Sequence, residues 1–99
     1  MVLEHALMSI NPGEESAFEG ALPEALAVIT SDPGCRGAKI LGGVESPSTY
    51  LLLVEWDSVT AHQGFRESEA FGEWRAIVRP FWAELPNVEH FSLAAERQG

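Results

Sequence analysis

The chain has 99 residues, 45% of them apolar, and its 15 acidic and 6 basic side chains give a formal net charge of −9. This length supports one hydrophobic core, so we expect a single domain spanning residues 1–99. The charge argues against nucleic acid and membranes as partners, and no apolar run approaches the roughly 20 residues of a membrane-spanning helix. The lone cysteine, Cys35, has no partner for an internal disulfide and is interpreted as an incidental free thiol.

The first ten residues predict a central strand because both of its faces are apolar. One face carries Leu3, His5 and Leu7, and the other carries Ala6, Met8 and Ile10. The segment has no basic stretch and no small-residue cleavage site, so we interpret it as structure rather than as a signal peptide. We therefore expect a cytoplasmic protein.

A first helix is predicted to follow this strand. Asn11 can cap it, Pro12 is tolerated at its first position, and Glu14 is placed to complete a capping box. Pro23 predicts a kink or a restart near residues 20–23. The core-facing stripe at helical spacing consists of Phe18, Leu22, Ala25, Leu26 and Ile29.

Two strands are predicted next. Residues 38–44 alternate in polarity, and their Gly42 and Gly43 predict a bulge or a close backbone contact. Residues 50–56 give the clearest strand, whose alternate positions share an apolar face made of Tyr50, Leu52, Val54 and Trp56.

Two helices and a strand complete the chain. Asp57 or Ser58 is expected to cap the second helix, and Ser68 is expected to cap a third helix that bends at Pro80 and continues to Leu85. The last strand is predicted over residues 88–94, with Val88, His90 and Ser92 opposite Glu89, Phe91 and Leu93.

The resulting order, βαββαβ, predicts an α+β fold of the ferredoxin-like kind, with a four-stranded antiparallel sheet and helices on one face. Leucines also occupy the face that no helix covers. Because such an apolar surface is unusual on a soluble monomer, we expect a homodimer through the sheet faces.

Residues 50–74 contain a strand ending in Trp56, a capped helix containing His62, and a Ser-x-x-Phe step from Ser68 to Phe71 into a long helix. This segment resembles the antibiotic biosynthesis monooxygenase family of dimeric α+β barrel proteins. The resemblance implies a small-molecule pocket between sheet and helices. The family includes cofactor-independent oxygenases of polycyclic phenols, quinol oxygenases and haem-degrading oxygenases.

Two differences between this sequence and the family's patterns reduce the number of family activities that fit it. In our alignment the axial histidine of the haem-degrading members falls at Arg75 and their pocket tryptophan falls at Phe65, and the first strand contains no asparagine. Haem degradation is therefore disfavoured. Trp74 can replace the tryptophan of the phenol-oxidising members, but their asparagine and tyrosine have no clear counterpart.

The candidate site residues follow from what a cofactor-free oxygenase requires, namely an apolar pocket and a base. His62 is predicted as the catalytic base, because histidine titrates near working pH, and the alternative is a structural hydrogen-bonding role. His5 and His90 lie on strands that neighbour each other in this fold, so the two rings are expected to approach. The candidates for binding the substrate are Trp74, Phe65, His90, Phe71 and His5.

The remaining polar residues carry little chemical signal. Glu67, Glu69 and Glu73 lie within helical reach of Arg66, Arg75 and Arg79, which predicts solvated ion pairs. No metal-binding spacing and no phosphate-binding loop occurs, so neither a metal nor a cofactor is expected.

Three functions are compatible with these residues. The first is a cofactor-independent monooxygenase of an aromatic or quinol-like molecule, and the second is a non-catalytic dimer that binds a small apolar ligand. The third and least favoured function is a haem-handling protein.

Overall fold

The computed structural model describes residues 1–99. The elements are β1 (Val2–Ser9), α1 (Glu15–Thr30), β2 (Cys35–Gly42), β3 (Thr49–Trp56), α2 (Val59–Arg66), α3 (Glu69–Val78), a 3₁₀ turn (Arg79–Phe81) and β4 (Asn87–Phe91). The strands form one antiparallel sheet in the order β2-β3-β1-β4. The predicted ferredoxin-like α+β fold is confirmed, with β1 as a central strand. No helix is both long and apolar enough to cross a membrane.

The core lies between one face of the sheet and the helices. Alternate residues of β1 and β3 are buried there, as their period-two pattern predicts, and α1 adds its apolar stripe. Trp56 and Phe18 are the largest fully buried side chains. The predicted division of β1 and β3 into two faces is therefore confirmed, and the buried face of β1 forms one wall of the cavity described below.

The start of α1 differs from the prediction. The helix begins at Glu15, and its N-cap residue, Glu14, makes no capping hydrogen bond with its side chain. Asn11 instead accepts a turn hydrogen bond from the Glu14 amide through its carbonyl, and Gly13 takes a φ of 91°. The predicted cap at Asn11 and the capping box at Glu14 are wrong because this turn places Asn11 before the helix and makes Glu14 itself the N-cap residue.

The predicted restart at Pro23 is also wrong, since α1 continues without interruption from Glu15 to Thr30. Pro23 lies on the exposed side of the helix, where water can bind the carbonyl that the missing N–H leaves free. The buried stripe on the opposite side keeps the two halves packed on the sheet.

β2 begins earlier than predicted and has its irregularity at a different place. The register shifts between Cys35 and Gly37, and the strand ends at Gly42. The predicted close backbone contact occurs at Gly43, where an added Cβ atom would lie 2.4 Å from the Ser46 carbonyl oxygen. The strand therefore ends in a tight loop that no larger residue fits, and Val44, which the prediction placed in the strand, lies beyond it.

The caps of the other two helices agree with the sequence. Ser58, one of the two predicted caps, accepts a hydrogen bond from the Ala61 amide at 3.0 Å and begins α2. Ser68 accepts one from the Phe71 amide at 3.4 Å and begins α3.

The predicted extension of α3 to Leu85 is wrong. The helix ends at Val78, because Pro80 has no N–H and its ring conflicts with a preceding helical turn. Trp82 then forms an isolated antiparallel bridge with Ile10. The chain returns to the end of β1 and closes one side of the cavity. β4 is likewise shorter than predicted and ends at Phe91.

The second face of the sheet carries no helix. The strand registers place Leu41, Leu51 and Leu7 side by side on this face. Leu41 and Leu7 are 46% and 47% exposed, and Phe91 on the same face is 47% exposed. We call this apolar surface, formed by alternate residues of all four strands, the open sheet face.

Candidate active site

His62 is held in place by the first turn of α2 and by the end of β3. Its side chain is 6% exposed, and its ring stacks on the indole of Trp56 at 4.8 Å between centroids, with 14° between the planes. The Ser58 cap fixes where α2 begins and therefore which residue faces the sheet. His62 consequently points inward, toward the centre of the fold.

Glu4 meets His62 from the sheet. It occupies the inner face of β1, where it is 4% exposed, and its Oε1 atom accepts a hydrogen bond from Trp56 Nε1 at 2.9 Å. The Nε2 atom of His62 lies 3.2 Å from the same oxygen. The Oε2 atom has no hydrogen-bond partner within the chain. One oxygen of this carboxylate is therefore held by two ring nitrogens, and the other is free for a ligand.

His90 completes a chain of three polar residues. β4 pairs with β1 so that His90 lies opposite Glu4, and its Nε2 atom is 2.7 Å from Nδ1 of His62. We call this arrangement of Glu4, His62 and His90 the Glu-His-His chain. When Glu4 is ionised it only accepts, so His62 Nε2–H donates to Glu4 and His90 Nε2–H donates to His62 Nδ1.

Burial changes the pKa values of Glu4 and His62. It raises the pKa of Glu4, against the opposing effects of the Trp56 hydrogen bond and of Arg66. Burial also lowers the pKa of His62 to about 4, helped by the nearby His90 and Arg66. His62 is therefore neutral at physiological pH and acts as a fixed donor, while Glu4 is a stronger base than an exposed carboxylate.

A cavity of about 330 Å³ opens beside the Glu-His-His chain, between the inner face of β1 and the helices α2 and α3. Its polar wall includes Glu4 and His62, and its aromatic wall includes Phe71, Trp74 and Trp82. The other lining residues are Ala6, Met8, Arg66, Arg75, Leu85, Pro86 and Val88. Aromatic walls with a few convergent polar groups are typical of sites for small molecules.

The aromatic wall is supported by contacts among its own rings. Phe71 stacks on Trp74 with centroids 6.0 Å apart, and Trp74 lies 6.1 Å from Trp82. Phe65 packs behind this wall, 5.4 Å from Trp56 and 5.8 Å from Phe71. These contacts fix the ring planes that a bound ligand would meet.

The predicted site residues fall into three groups. His62, Trp74 and Phe71 line the cavity. His90 and Phe65 lie outside the cavity lining: His90 contacts His62, and Phe65 is 1% exposed and belongs to the core. His5 lies on the open sheet face, 5.2 Å from Phe91, so it does not reach the cavity.

The expected approach of His5 to His90 is wrong, although their strands do pair. His5 lies opposite Glu89 on the open sheet face, while His90 lies opposite Glu4 on the inner face. Because neighbouring residues of a strand point to opposite sides, the sheet itself separates the two rings.

Glu4 and the two cavity-lining arginines, Arg66 and Arg75, were missed. Glu4 shares its strand face with Ala6, Met8 and Ile10, so it is the one charged side chain on the buried face of β1. A buried carboxylate needs a partner, and the strand alternation alone could have marked it.

The ion pairs predicted for the arginines of α2 and α3 are wrong. No carboxylate lies within salt-bridge distance of Arg66, Arg75 or Arg79, and the only arginine that forms a salt bridge is Arg36, with Asp57. Spacing along a helix permits such a pair without requiring it, because exposed pairs gain little free energy.

No group of three or more His, Cys, Asp or Glu side chains is placed to hold a metal ion. In the Glu-His-His chain the facing atoms are already used in hydrogen bonds to one another.

Fold and site together define a small ferredoxin-like α+β protein with a buried acid–histidine pair at an aromatic cavity. The model of the antibiotic biosynthesis monooxygenase family matches residues 1–77, and the chain belongs to this family. The uncharacterised protein YczJ of Bacillus subtilis (strain 168) is 38% identical over 92 residues, which is 92% of this chain and 97% of YczJ.

Solved structures agree with this assignment. A candidate antibiotic biosynthesis monooxygenase from Bordetella bronchiseptica is 34% identical and superposes with a TM-score of 0.91, over 95% of this chain and 97% of that chain. One from Nitrosomonas europaea is 18% identical, with a TM-score of 0.81 over 96% of this chain and 100% of that chain, and it shows the shared fold alone.

Proposed function

We propose that this protein is a cofactor-independent monooxygenase that oxidises a small aromatic or quinol-like molecule in the cytoplasm. Family membership supports the general kind of activity. The observation that carries the proposal is the Glu-His-His chain, whose buried carboxylate presents one free oxygen at an aromatic cavity.

Glu4 is the proposed base, supported by His62. Both ring nitrogens of His62 are engaged, one by Glu4 and the other by His90, so neither is free to take a proton from a substrate. The Oε2 atom of Glu4 has no such partner. His62 is therefore a positioning residue that holds the carboxylate, and His90 fixes which nitrogen of His62 carries the proton.

The proposed reaction uses dioxygen as the oxidant and the substrate as its only reductant. Glu4 removes a proton from the substrate, either from a ring CH₂ group next to a carbonyl or from the hydroxyl group of a quinol. The electron-rich anion transfers one electron to O₂, and the two radicals combine to a peroxide anion. Return of the proton from Glu4 gives a hydroperoxide, which loses water to leave a carbonyl, so that CH₂ and O₂ become C=O and H₂O. A quinol reacts in the same way at a ring CH beside its hydroxyl group and yields a hydroxyquinone and water.

The aromatic wall binds the substrate in this proposal. Trp74 and Phe71 present stacked rings, which favour a flat ligand. Burial makes the ionised form of Glu4 less stable, so the carboxylate takes up a proton more readily. Burial of Glu4 thereby links ligand binding to proton removal, because a ligand that displaces water raises the proton affinity of the carboxylate further.

Oxygen uptake by metal-free protein tests this function, with a panel of anthrones and hydroquinones. Glu4→Gln keeps the size of the side chain and removes the base, so uptake is expected to fall by at least about 100-fold, the lower range for general-base catalysis. Glu24→Gln, an exposed carboxylate on α1, is the matched control and should leave the rate unchanged.

Two results would contradict the proposal. Full activity of Glu4→Gln would remove the base from the mechanism. Saturable ligand binding without oxygen uptake across the whole panel would instead support the second function, a non-catalytic dimer that binds a small apolar ligand.

We also propose that the protein is a homodimer in which the open sheet face packs against the same face of a second copy. Leu41, Leu51 and Leu7 lie in one row across three strands, and Phe91 extends the apolar surface onto the fourth. Packing two such faces removes this area from water, which is the main source of free energy for association.

A further inference from the structure

Two of the few cationic side chains of this acidic chain lie at the cavity. Only 6 lysines and arginines occur among its 99 residues, and two of them, Arg66 and Arg75, line the cavity wall. Neither has a carboxylate within salt-bridge distance, although several glutamates neighbour them along the helices. Two guanidinium groups without a salt bridge at one cavity can offer hydrogen-bond donors to an anion in a protein of net charge −9.

Helix geometry places each arginine one turn beyond another cavity-lining residue of its own helix. Arg66 follows His62 by four residues on α2, so it lies on the same helix face, one turn farther along. Arg75 follows Phe71 by four residues on α3, with its guanidinium carbon 6.0 Å from the centroid of the Phe71 ring. The cavity lining therefore combines two guanidinium groups with the aromatic wall and the carboxylate of Glu4.

We propose that the ligand of this cavity is an aromatic acid, whose carboxylate is bound by Arg66 and Arg75 while its ring lies against Trp74 and Phe71. The identification of the cavity as a substrate site rests on the proposed function. In this orientation the reacting hydroxyl or CH₂ group faces Glu4, and the carboxylate is kept away from the carboxylate of the protein. Guanidinium groups suit this role because their N–H donors match the two oxygens of a carboxylate.

A matched pair of ligands tests the proposal by calorimetry. We would titrate 6-hydroxy-2-naphthoate and 2-naphthol, which differ only in the carboxylate, into the protein at low and high potassium chloride. The acid is expected to bind at least about tenfold more tightly, the size of one charge-assisted hydrogen bond. High salt should weaken binding of the acid and leave that of the naphthol nearly unchanged, because screening acts on charge pairs.

Three variants locate the effect. Arg66→Gln and Arg75→Gln are each expected to weaken the acid by about tenfold and the naphthol by less than about twofold. Arg79→Gln makes the same change of charge one turn beyond Arg75, outside the cavity lining, and is expected to leave both ligands unaffected. Circular dichroism of each variant checks that the fold is retained.

The outcomes separate this inference from the proposed function. Equal affinity for the acid and the naphthol, or an equal loss for both ligands in Arg66→Gln and Arg75→Gln, would overturn the aromatic-acid assignment even if oxygen uptake is observed. Selective binding of the acid that depends on both arginines would support the assignment even if no substrate of the panel is oxidised.

Discussion

Replacement of Glu4 separates its structural contribution from its chemical one. In Glu4→Ala the indole N–H of Trp56 and the ring N–H of His62 both lose their acceptor. Trp56 is 0% exposed and His62 5% exposed, so neither donor readily finds water instead. In Glu4→Gln an amide oxygen at the same place can still accept both hydrogen bonds.

The expected magnitudes follow from these contacts. Each buried donor left without a partner costs about 1–3 kcal/mol, and removing a buried charge returns part of this, so Glu4→Ala should lower the free energy of unfolding by about 2–4 kcal/mol. Glu4→Gln keeps the hydrogen bonds and removes the cost of burying a charge. Its free energy of unfolding should lie within about 1 kcal/mol of the parent chain or above it.

Urea unfolding at pH 7, followed by tryptophan fluorescence, measures both variants, and oxygen uptake is measured on the same samples. We expect Glu4→Gln to be stable and inactive, which would show that the carboxylate is retained for chemistry rather than for folding. If the two variants were destabilised equally, Oε1 would not be the acceptor that holds Trp56 and His62. The account of the Glu-His-His chain would then fail.

Three further predictions concern pH, the backbone and assembly. Because the pKa of His62 falls from 6.5 to about 4 on folding, its contribution to stability is complete above pH 6.5 and is lost as the pH drops toward 4. In Glu4→Gln, where the opposing titration of Glu4 is absent, this loss should reach up to about 3 kcal/mol in urea unfolding, and His62→Asn should abolish this part of the pH slope. Gly43→Ala should lower the free energy of unfolding by at least about 1 kcal/mol, because its Cβ atom would lie 2.4 Å from a carbonyl oxygen. Gly72→Ala is the control, because Gly72 has open space around it in α3, and it should raise the free energy of unfolding by about 0.5–1 kcal/mol. Equal effects of the two variants would contradict the contact at Gly43. Light scattering should report a dimer for the parent chain and a 10.8 kDa monomer for Leu51→Glu, since a carboxylate in the open sheet face opposes its burial; a parent monomer would refute the dimer.

Local patterns predicted the order of the strands and helices because each element has a period that burial enforces. The alternation in residues 50–56 and the serine caps at Ser58 and Ser68 agree with the structure. The ends of α1 and α3 were predicted less well. Asn11 lies before α1, and Pro80 lies after α3. The two residues are joined by a long-range hydrogen bond, in which Asn11 Nδ2 donates to the Pro80 carbonyl at 3.4 Å.

Three of the predicted site residues, His62, Trp74 and Phe71, line the cavity, and their roles stay predictions. His62 and Trp74 carry helical signals that a sequence displays, and both line the cavity. The only sequence signal at Glu4 is its position in the strand alternation of β1. This signal indicates that Glu4 is buried, but it does not indicate which residues it contacts. The arginines were interpreted as surface residues because helical spacing offered them glutamates that they do not contact.

The sequence alone determined the ferredoxin-like topology and the apolar surfaces of the sheet, because periodicity and capping act between residues that are close along the chain. Only the tertiary structure decided that Glu4, His62 and His90 meet. Their contact depends on the antiparallel register of β1 with β4 and on the packing of α2 over Trp56, which join residues up to 86 positions apart. Such long-range alignment is fixed by the packing of the whole fold, and no local pattern of residues records it.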